Sequence, residues 1–268
     1  MPLWQNKQME NLKLALIQPH LHWEDKQANL SMFEVKMQAL KGEPDIIVLP
    51  EMFSTGFSMN AFALAEPMHG DSVNWMREQA QSYSAVITGS IIIEEDGKYY
   101  NRLVWMQPDG SFEQYDKRHL FSMADEEKTY SPGNKKLIVE LKGWKICPMV
   151  CYDLRFPAWI RNHEMYDLLI FAANWPEKRI KHWTTLLHAR AIENESYAVG
   201  VNRVGNDGNG IIHSGSSMAI SPMGETLLEL EGESVAEIEL HYEEITKMRR
   251  HMPFLKDRDN YEIKDFEL

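Results

Sequence analysis

The chain has 268 residues, 44% apolar and 25% charged, with a formal net charge of -12. That is long enough for a large buried core, and the acidic balance excludes a nucleic-acid partner, which asks for a basic face; an anionic substrate would need a locally basic pocket. No apolar run is long enough to span a membrane, residues 1–13 lack the apolar stretch of a secretory signal, and Cys147 and Cys151 alone make no disulfide framework, so no membrane partner and a reducing, cytoplasmic setting are expected.

Short apolar runs alternate with helical periodicity, the mark of an α/β chain. "LALIQP" (14–19) reads as a strand. In 24–41, Leu30, Phe33, Met37 and Leu40 share one helical face and Gly42 is the stop signal. "DIIVLP" (45–50) is a second strand, with Glu51 at its end. Asp71 is placed to cap a helix running to about Tyr83, with Val73, Met76, Ala80 and Tyr83 on one face. "AVITGSIII" and "YYNRLVWMQ" are strands joined by an Asp-Gly turn. "SFEQYDK" runs to Lys117, and a polar loop, 118–134, ends in Pro132-Gly133-Asn134.

The second half has the same rhythm. "LIVEL" and "WKICPMV" are strands leading to Cys151, and Pro157 suits the first turn of a helix. "YDLLIFAAN" (166–174) is a strand, and Trp183, Leu187, Arg190 and Asn194 form one stripe of a helix over 181–196. "YAVGVNRV" and "GSSMAIS" are strands around the turn "DGNG", and "TLLEL" and "SVAEIEL" close the sheet region. A helix over 242–250 leads into a tail, 251–268. No linker intervenes, so one domain over 1–268, with two sheets and helices outside both, is expected.

Glu51, Lys117 and Cys151 each follow a strand, where α/β folds collect functional groups. If neighbouring strands bring them together, the set has a chemical reading. A free thiol is mostly protonated at neutral pH. A carboxylate can take its proton, a cation favours the thiolate, and a Lys with a backbone N–H can hold an oxyanion. Taken singly, each has a plainer reading. Free cysteine is among the most buried residue types, and Lys or Glu at a strand end is usually solvated. His20, His22 and His69 lack metal-ligand spacing, so no metal is expected. "GNDGNG" (205–210) lacks the Lys and helix of a phosphate loop and reads as a turn.

In their local settings, "IIVLPEMFSTGF", "YDKRHLF" and "CPMVCYDLRFP", these residues resemble the nitrilase, or carbon–nitrogen hydrolase, superfamily, in order and rough spacing. Within it, the stretch from "FAANWPEKRIKHW" to "GVNRVGNDGNG" looks most like the bacterial omega-amidase branch, which hydrolyses the terminal amide of 2-oxoglutaramate and 2-oxosuccinamate. The resemblance implies a four-layer α-β-β-α sandwich, Glu51 as general base, Cys151 as nucleophile, Lys117 and the Tyr152 backbone N–H as oxyanion holders, a thioester intermediate and no cofactor. It implies a second, supporting glutamate, Glu126 or the competing Glu127. It also implies a homodimer to which the tail contributes.

Arg155, Arg179 and Arg203 are the candidates by motif for a substrate carboxylate, the kind of group that Arg grips bidentately, against the plainer reading of structural ion pairs. Phe57, Trp175 and His182 could wall a small pocket or belong to the core. Asp153 could cap the helix after Cys151. Another superfamily amidase, a carbamoylase or a nitrilase would carry the same three residues, and a silent interaction protein could keep the same fold.

Overall fold

A computed structural model describes residues 9–264. In chain order, the first half runs β1 (Leu12–Gln18), α1 (Lys26–Met37), β2 (Ile46–Val48), α2 (Ala61–Leu64), α3 (Asp71–Tyr83), β3 (Val86–Glu95), β4 (Lys98–Met106) and β5 (Phe112–Asp116). There follow β6 (Val139–Leu141), β7 (Trp144–Val150), α4 (Pro157–Ile160), β8 (Leu168–Ala172), α5 (Ile180–Asn194) and β9 (Tyr197–Val201). The chain then forms β10 (Val204–Asn206), β11 (Ile212–Ser214), β12 (Met218–Ile220), β13 (Thr226–Glu229), β14 (Ser234–Leu240) and α6 (Tyr242–His251).

Two six-stranded sheets are ordered β14-β1-β2-β3-β4-β5 and β6-β7-β8-β9-β12-β13. Each has three parallel strands at its centre, one antiparallel strand on one side and two on the other. The shared rhythm of the two halves is therefore a repeat of topology. "TLLEL" and "SVAEIEL" do not close one sheet together: β13 edges the second sheet and β14 crosses back to edge the first. "YAVGVNRV" is not one strand. It breaks after Val201 and resumes as β10 in a separate ribbon with β11.

Strand alternation assigns the layers. Leu14, Leu16, Ile46 and Val48 of the first sheet meet Ile146, Leu168, Ile170 and Val199 of the second. Ala15, Ile17 and Ile47 face α1 and α3 through Leu30, Phe33, Val73 and Met76. Leu169 and Phe171 face Trp159, Trp183 and Leu187 of α4 and α5. The result is the four-layer α-β-β-α sandwich, and it explains why central strands read as unbroken apolar runs: both faces are buried.

Local chemistry sets the element ends. The Asp25 carboxylate caps α1 through Ala28 N at 3.0 Å. Asp71 is not the cap of α3 but its first residue; Glu66 reaches back instead and accepts from Ser72 N at 2.8 Å and Val73 N at 3.3 Å. Asp96 and Gly97 both have positive φ, as a type I′ hairpin turn requires. The helix α6 does not join the outer layers. Its Arg249 grips Asp167 at 2.7 Å and the Tyr166 carbonyl at 2.6 Å, at the N-terminal edge of β8.

Of the tail, residues 251–264 are described and 265–268 lie outside the described residues. Leu255 is buried, its N–H on Glu195 Oε1 at 3.1 Å, and the Tyr261 hydroxyl donates to the Ala158 carbonyl at 2.6 Å. The described tail thus lies along α4 and the end of α5 of its own chain.

The packing of α5 on β9 is close enough to test. A Cβ on Gly200 would lie 2.5 Å from the Trp183 ring and 2.8 Å from Leu187. Gly200→Ala is expected to cost about 1–3 kcal/mol by overpacking, read as a lower urea midpoint with unchanged m-value; an unchanged midpoint would contradict this packing.

Candidate active site

Glu51, Lys117 and Cys151 come together, but not from neighbouring strands. Glu51 follows β2 and Lys117 follows β5, at separate places in the first sheet, while Cys151 follows β7 in the second. The meeting point is where the two sheets face each other.

The chain turns sharply there. Cys151 has φ of 40°, and so does the turn after Glu51, where Met52 has φ of 41°. Backbone held in this region costs about 1–3 kcal/mol per residue and persists only where surroundings enforce it. Behind Met52, Ser90 Oγ takes its N–H at 2.8 Å. The loop after Lys117 is anchored by Gly133, whose N–H donates to the Lys117 carbonyl at 3.0 Å. Its Cα passes so near the Asp116 carbonyl that a Cβ would lie 2.1 Å from the oxygen.

Lys117 is 1% exposed and shared between two buried carboxylates. Nζ donates to Glu51 Oε1 at 2.8 Å and to Glu126 Oε1 and Oε2 at 3.0 and 2.9 Å. Of the two competing glutamates, Glu126 faces the cluster and Glu127 is exposed. Asn101, on β4, donates from Nδ2 to Glu51 Oε1 at 2.8 Å and to Glu126 Oε1 at 3.1 Å. From the second sheet, Asn174 N donates to Glu51 Oε2 at 3.0 Å, and its Nδ2 donates to the Glu51 carbonyl. Neither asparagine is singled out by the sequence; the one signal for Asn101 is an amide inside an apolar strand.

Burial disfavours the Lys117 charge, yet Glu126 and Glu51 more than offset this and hold its pKa above the ordinary lysine value. Burial raises the Glu126 carboxyl, with Lys117 opposing and Glu51 adding. Burial pushes the Cys151 thiol well up and the Glu51 charge adds to this, against Lys117 and the Asn174 N–H. The thiol form of Cys151 is therefore favoured where it meets Glu51 and Lys117. Cys147 points into the α4–α5 layer, free and buried.

These groups end a cavity of about 270 Å³. Phe57, Phe121, Tyr152, Arg155, Trp175 and Arg179 line it. The Arg155 guanidinium lies 4.7 Å from the Trp175 ring centre, and that of Arg179 lies 5.1 Å from the Phe121 centre. Among the described residues neither Arg has a carboxylate partner. Burial lowers the Arg155 pKa, and the nearby Arg179 charge contributes.

Two expectations are corrected. Arg203 is outside the cavity; its guanidinium is buried and donates to the Val204 and Asn206 carbonyls at 3.2 and 2.9 Å. His182 does not line the cavity but stands behind Arg155, with Nδ1 3.3 Å from its guanidinium. Asp153 does serve as a cap, not of α4 but of the 3-10 turn Cys151–Arg155 that directly follows β7: its carboxylate accepts from Val150 N at 3.1 Å. The "GNDGNG" turn, read as only a turn, and the residues after it supply a further wall: Asp207, Asn209, Ile211 and His213 line the cavity. A Cβ on Gly208 would lie 2.2 Å from the Trp23 ring, so this ribbon docks through its glycine. Among the described residues, no cluster of three or more His, Cys, Asp or Glu could hold a metal ion.

A family model described as carbon-nitrogen hydrolase matches residues 13–250. The omega-amidase YafV of Escherichia coli K12 is 44% identical over 257 residues, covering 95% of this chain and 100% of that protein. A 2-oxoglutaramate amidase of Bacillus subtilis is 31% identical over 235 residues, covering 85% of this chain and 90% of that one. The crystal structure of XC1258 from Xanthomonas campestris, a CN-hydrolase superfamily protein with an arsenic adduct in its active site, is 40% identical. It superposes with a TM-score of 0.93, covering 96% of this chain and 100% of that one.

The cavity wall carries a pH signature. Burial, with the Arg203 charge beside it, lowers the His213 imidazole to about 4. The unfolded chain binds this proton near pH 6.5, so the folded state holds fewer protons between those values. The stability from neutral His213 is present above about pH 6.5 and lost as pH falls toward 4. By pH 5 the loss is about 2 kcal/mol. His213→Gln should lack this part of the acid sensitivity when urea unfolding is compared at pH 7.5 and 5; equal pH dependence in the two proteins would contradict it.

Proposed function

The chain belongs to the carbon-nitrogen hydrolase family, and on that premise we propose that it is an omega-amidase acting on small 2-oxo dicarboxylic monoamides such as 2-oxoglutaramate and 2-oxosuccinamate. The observation that carries this reading is the pair of arginines without carboxylate partners on the wall of a small cavity that ends at Cys151. Such a cavity suits a short substrate with a carboxylate at one end and an amide at the other, and guanidinium groups bind carboxylates bidentately. The curated relatives named as omega-amidase and 2-oxoglutaramate amidase support the same substrate class.

In the mechanism we infer, the Cys151 sulfur attacks the amide carbon as its proton passes to Glu51. The Lys117 ammonium and the Tyr152 backbone N–H hold the oxyanion. Glu51 then delivers the proton to the leaving nitrogen; the C–N bond breaks, ammonia departs and a thioester remains. A water molecule gives a proton to Glu51 and attacks the thioester carbon. The C–S bond breaks, the sulfur regains a proton, and the acid is released. Lys117 keeps its proton throughout, as its raised pKa favours. Glu126 supports the site by holding Lys117 from the other side. Pairing into a homodimer, with a share for the tail, belongs to the same proposal and is measured by sedimentation.

Ammonia release from the two keto-amides should exceed that from an N-carbamoyl amino acid and a simple nitrile; preference for either of the latter would overturn the substrate class. Cys151→Ala is expected to lower turnover by about 10⁴-fold or more, and Lys117→Met by at least about 10²-fold. Arg155→Met and Arg179→Met should each raise KM by about 10- to 100-fold, the loss of one charge-assisted hydrogen bond, with kcat much less affected.

A further inference from the structure

We propose that Asp153 is a positioning residue that sets the placement of Cys151 against Lys117 without touching substrate. The proposal rests on the reading of those two as the reacting groups. Asp153 is fully buried and is not part of the cavity wall. Its Oδ2 accepts from Val150 N at 3.1 Å and from the Tyr115 hydroxyl at 2.9 Å. Its Oδ1 accepts from His119 N at 3.0 Å and lies 2.8 Å from His119 Nδ1. Val150 and Asp153 bracket the nucleophile, while Tyr115 and His119 stand two residues either side of Lys117. One carboxylate therefore joins the end of β5 in the first sheet to the corner after β7 in the second.

The donors are themselves held by the segment that follows Cys151. The His119 ring stacks on Phe156 at 3.7 Å with an interplanar angle of 5°, and Trp159 Nε1 donates to the Tyr115 hydroxyl at 3.2 Å. The arrangement also bears on the left-handed backbone of Cys151, which needs enforcement from its surroundings. The bond from Val150 N to Asp153 closes the corner around it. Only a carboxylate fits all the donors. An amide in its place offers one oxygen and turns an NH₂ group toward either Val150 N–H or His119 N–H, and a backbone donor cannot reverse itself to accept.

The test is Asp153→Asn, with Tyr115→Phe as a milder second variant that removes one donor and keeps the ring. Each is assayed for ammonia release and for the rate at which iodoacetamide alkylates Cys151, followed on the Cys151 peptide by mass spectrometry. Circular dichroism confirms folding at the assay temperature. In Asp153→Asn, kcat is expected to fall about 10²-fold, the scale of a 1 Å misplacement. KM should stay within about threefold, because the arginine wall is untouched, and alkylation should slow about tenfold as the thiol loses its partners. Tyr115→Phe should show the same pattern, reduced. A folded Asp153→Asn protein with wild-type kcat and alkylation rate, whatever its melting temperature, would overturn the proposal. If that variant does not fold, wild-type values in Tyr115→Phe would do the same. Alkylation needs no substrate, so a wild-type protein inactive on keto-amides would overturn the substrate reading while the alkylation rates still decide on Asp153.

Discussion

A lysine ammonium buried between two buried carboxylates is the constraint around which the rest of this molecule is arranged. Taking any one of these charges out of water alone would cost several kcal/mol. Together, Glu51, Lys117 and Glu126 satisfy one another through three hydrogen bonds from Nζ to Oε1 of Glu51 and to both oxygens of Glu126. The residual excess of negative charge is met by neutral donors: the Asn101 amide, Asn174 N and Phe121 N. Removing one member strands the others, so Glu51 and Lys117 at strand ends and Glu126 in the loop after β5 are held in fixed relation. The same dry setting pushes the Cys151 thiol up, with the Glu51 charge adding to the effect of burial.

The repeated sheet topology explains how the cluster is built. Each sheet has three parallel strands flanked by antiparallel ones, and the two sheets pack through Leu14, Leu16, Ile146, Leu168 and their neighbours. Residues that follow β2, β5 and β7 then converge at one end of the sandwich, while α6 covers the N-terminal edge of β8 through Arg249. Among the connections that bind the halves where Glu51, Lys117 and Cys151 meet are two buried polar ones. Asn174 carries Glu51 to the end of β8, and Asp153 carries the loop of Lys117 to the corner of Cys151.

Much of this was legible along the chain because strands and helices leave local signatures. β7 runs over the residues read for it, the Trp183–Leu187–Arg190–Asn194 stripe is the buried face of α5, and Asp96-Gly97 makes the hairpin turn. The four-layer architecture and the family followed from motifs around Glu51, Lys117 and Cys151. The misses concern partners that periodicity does not reveal, most of them far away in sequence. Asp71 looks like a cap until Glu66 is folded back onto the helix start. Asp153 does cap the turn after Cys151, but its second task, holding Tyr115 and His119 from another sheet, is invisible along the chain. β13 and β14 both read as strands that close the sheet region, yet nothing in either strand records which sheet its edge will meet.

The sequence by itself determined which side chains stand at the strand ends and which faces of each element are apolar, since those depend on periodicity and on residues a few positions apart. Only the tertiary structure decided among chemically identical groups. Arg203 and Arg155 carry the same guanidinium, but the fold surrounds one with backbone carbonyls and leaves the other above Trp175 in a cavity. Glu126 and Glu127 are adjacent, and a single left-handed residue, Asp125 with φ of 57°, precedes the turn that buries one and exposes the other. Burial and partnership belong to contacts between distant segments, and it is those contacts that fix whether a charge is neutralised, shared or left free to meet a ligand.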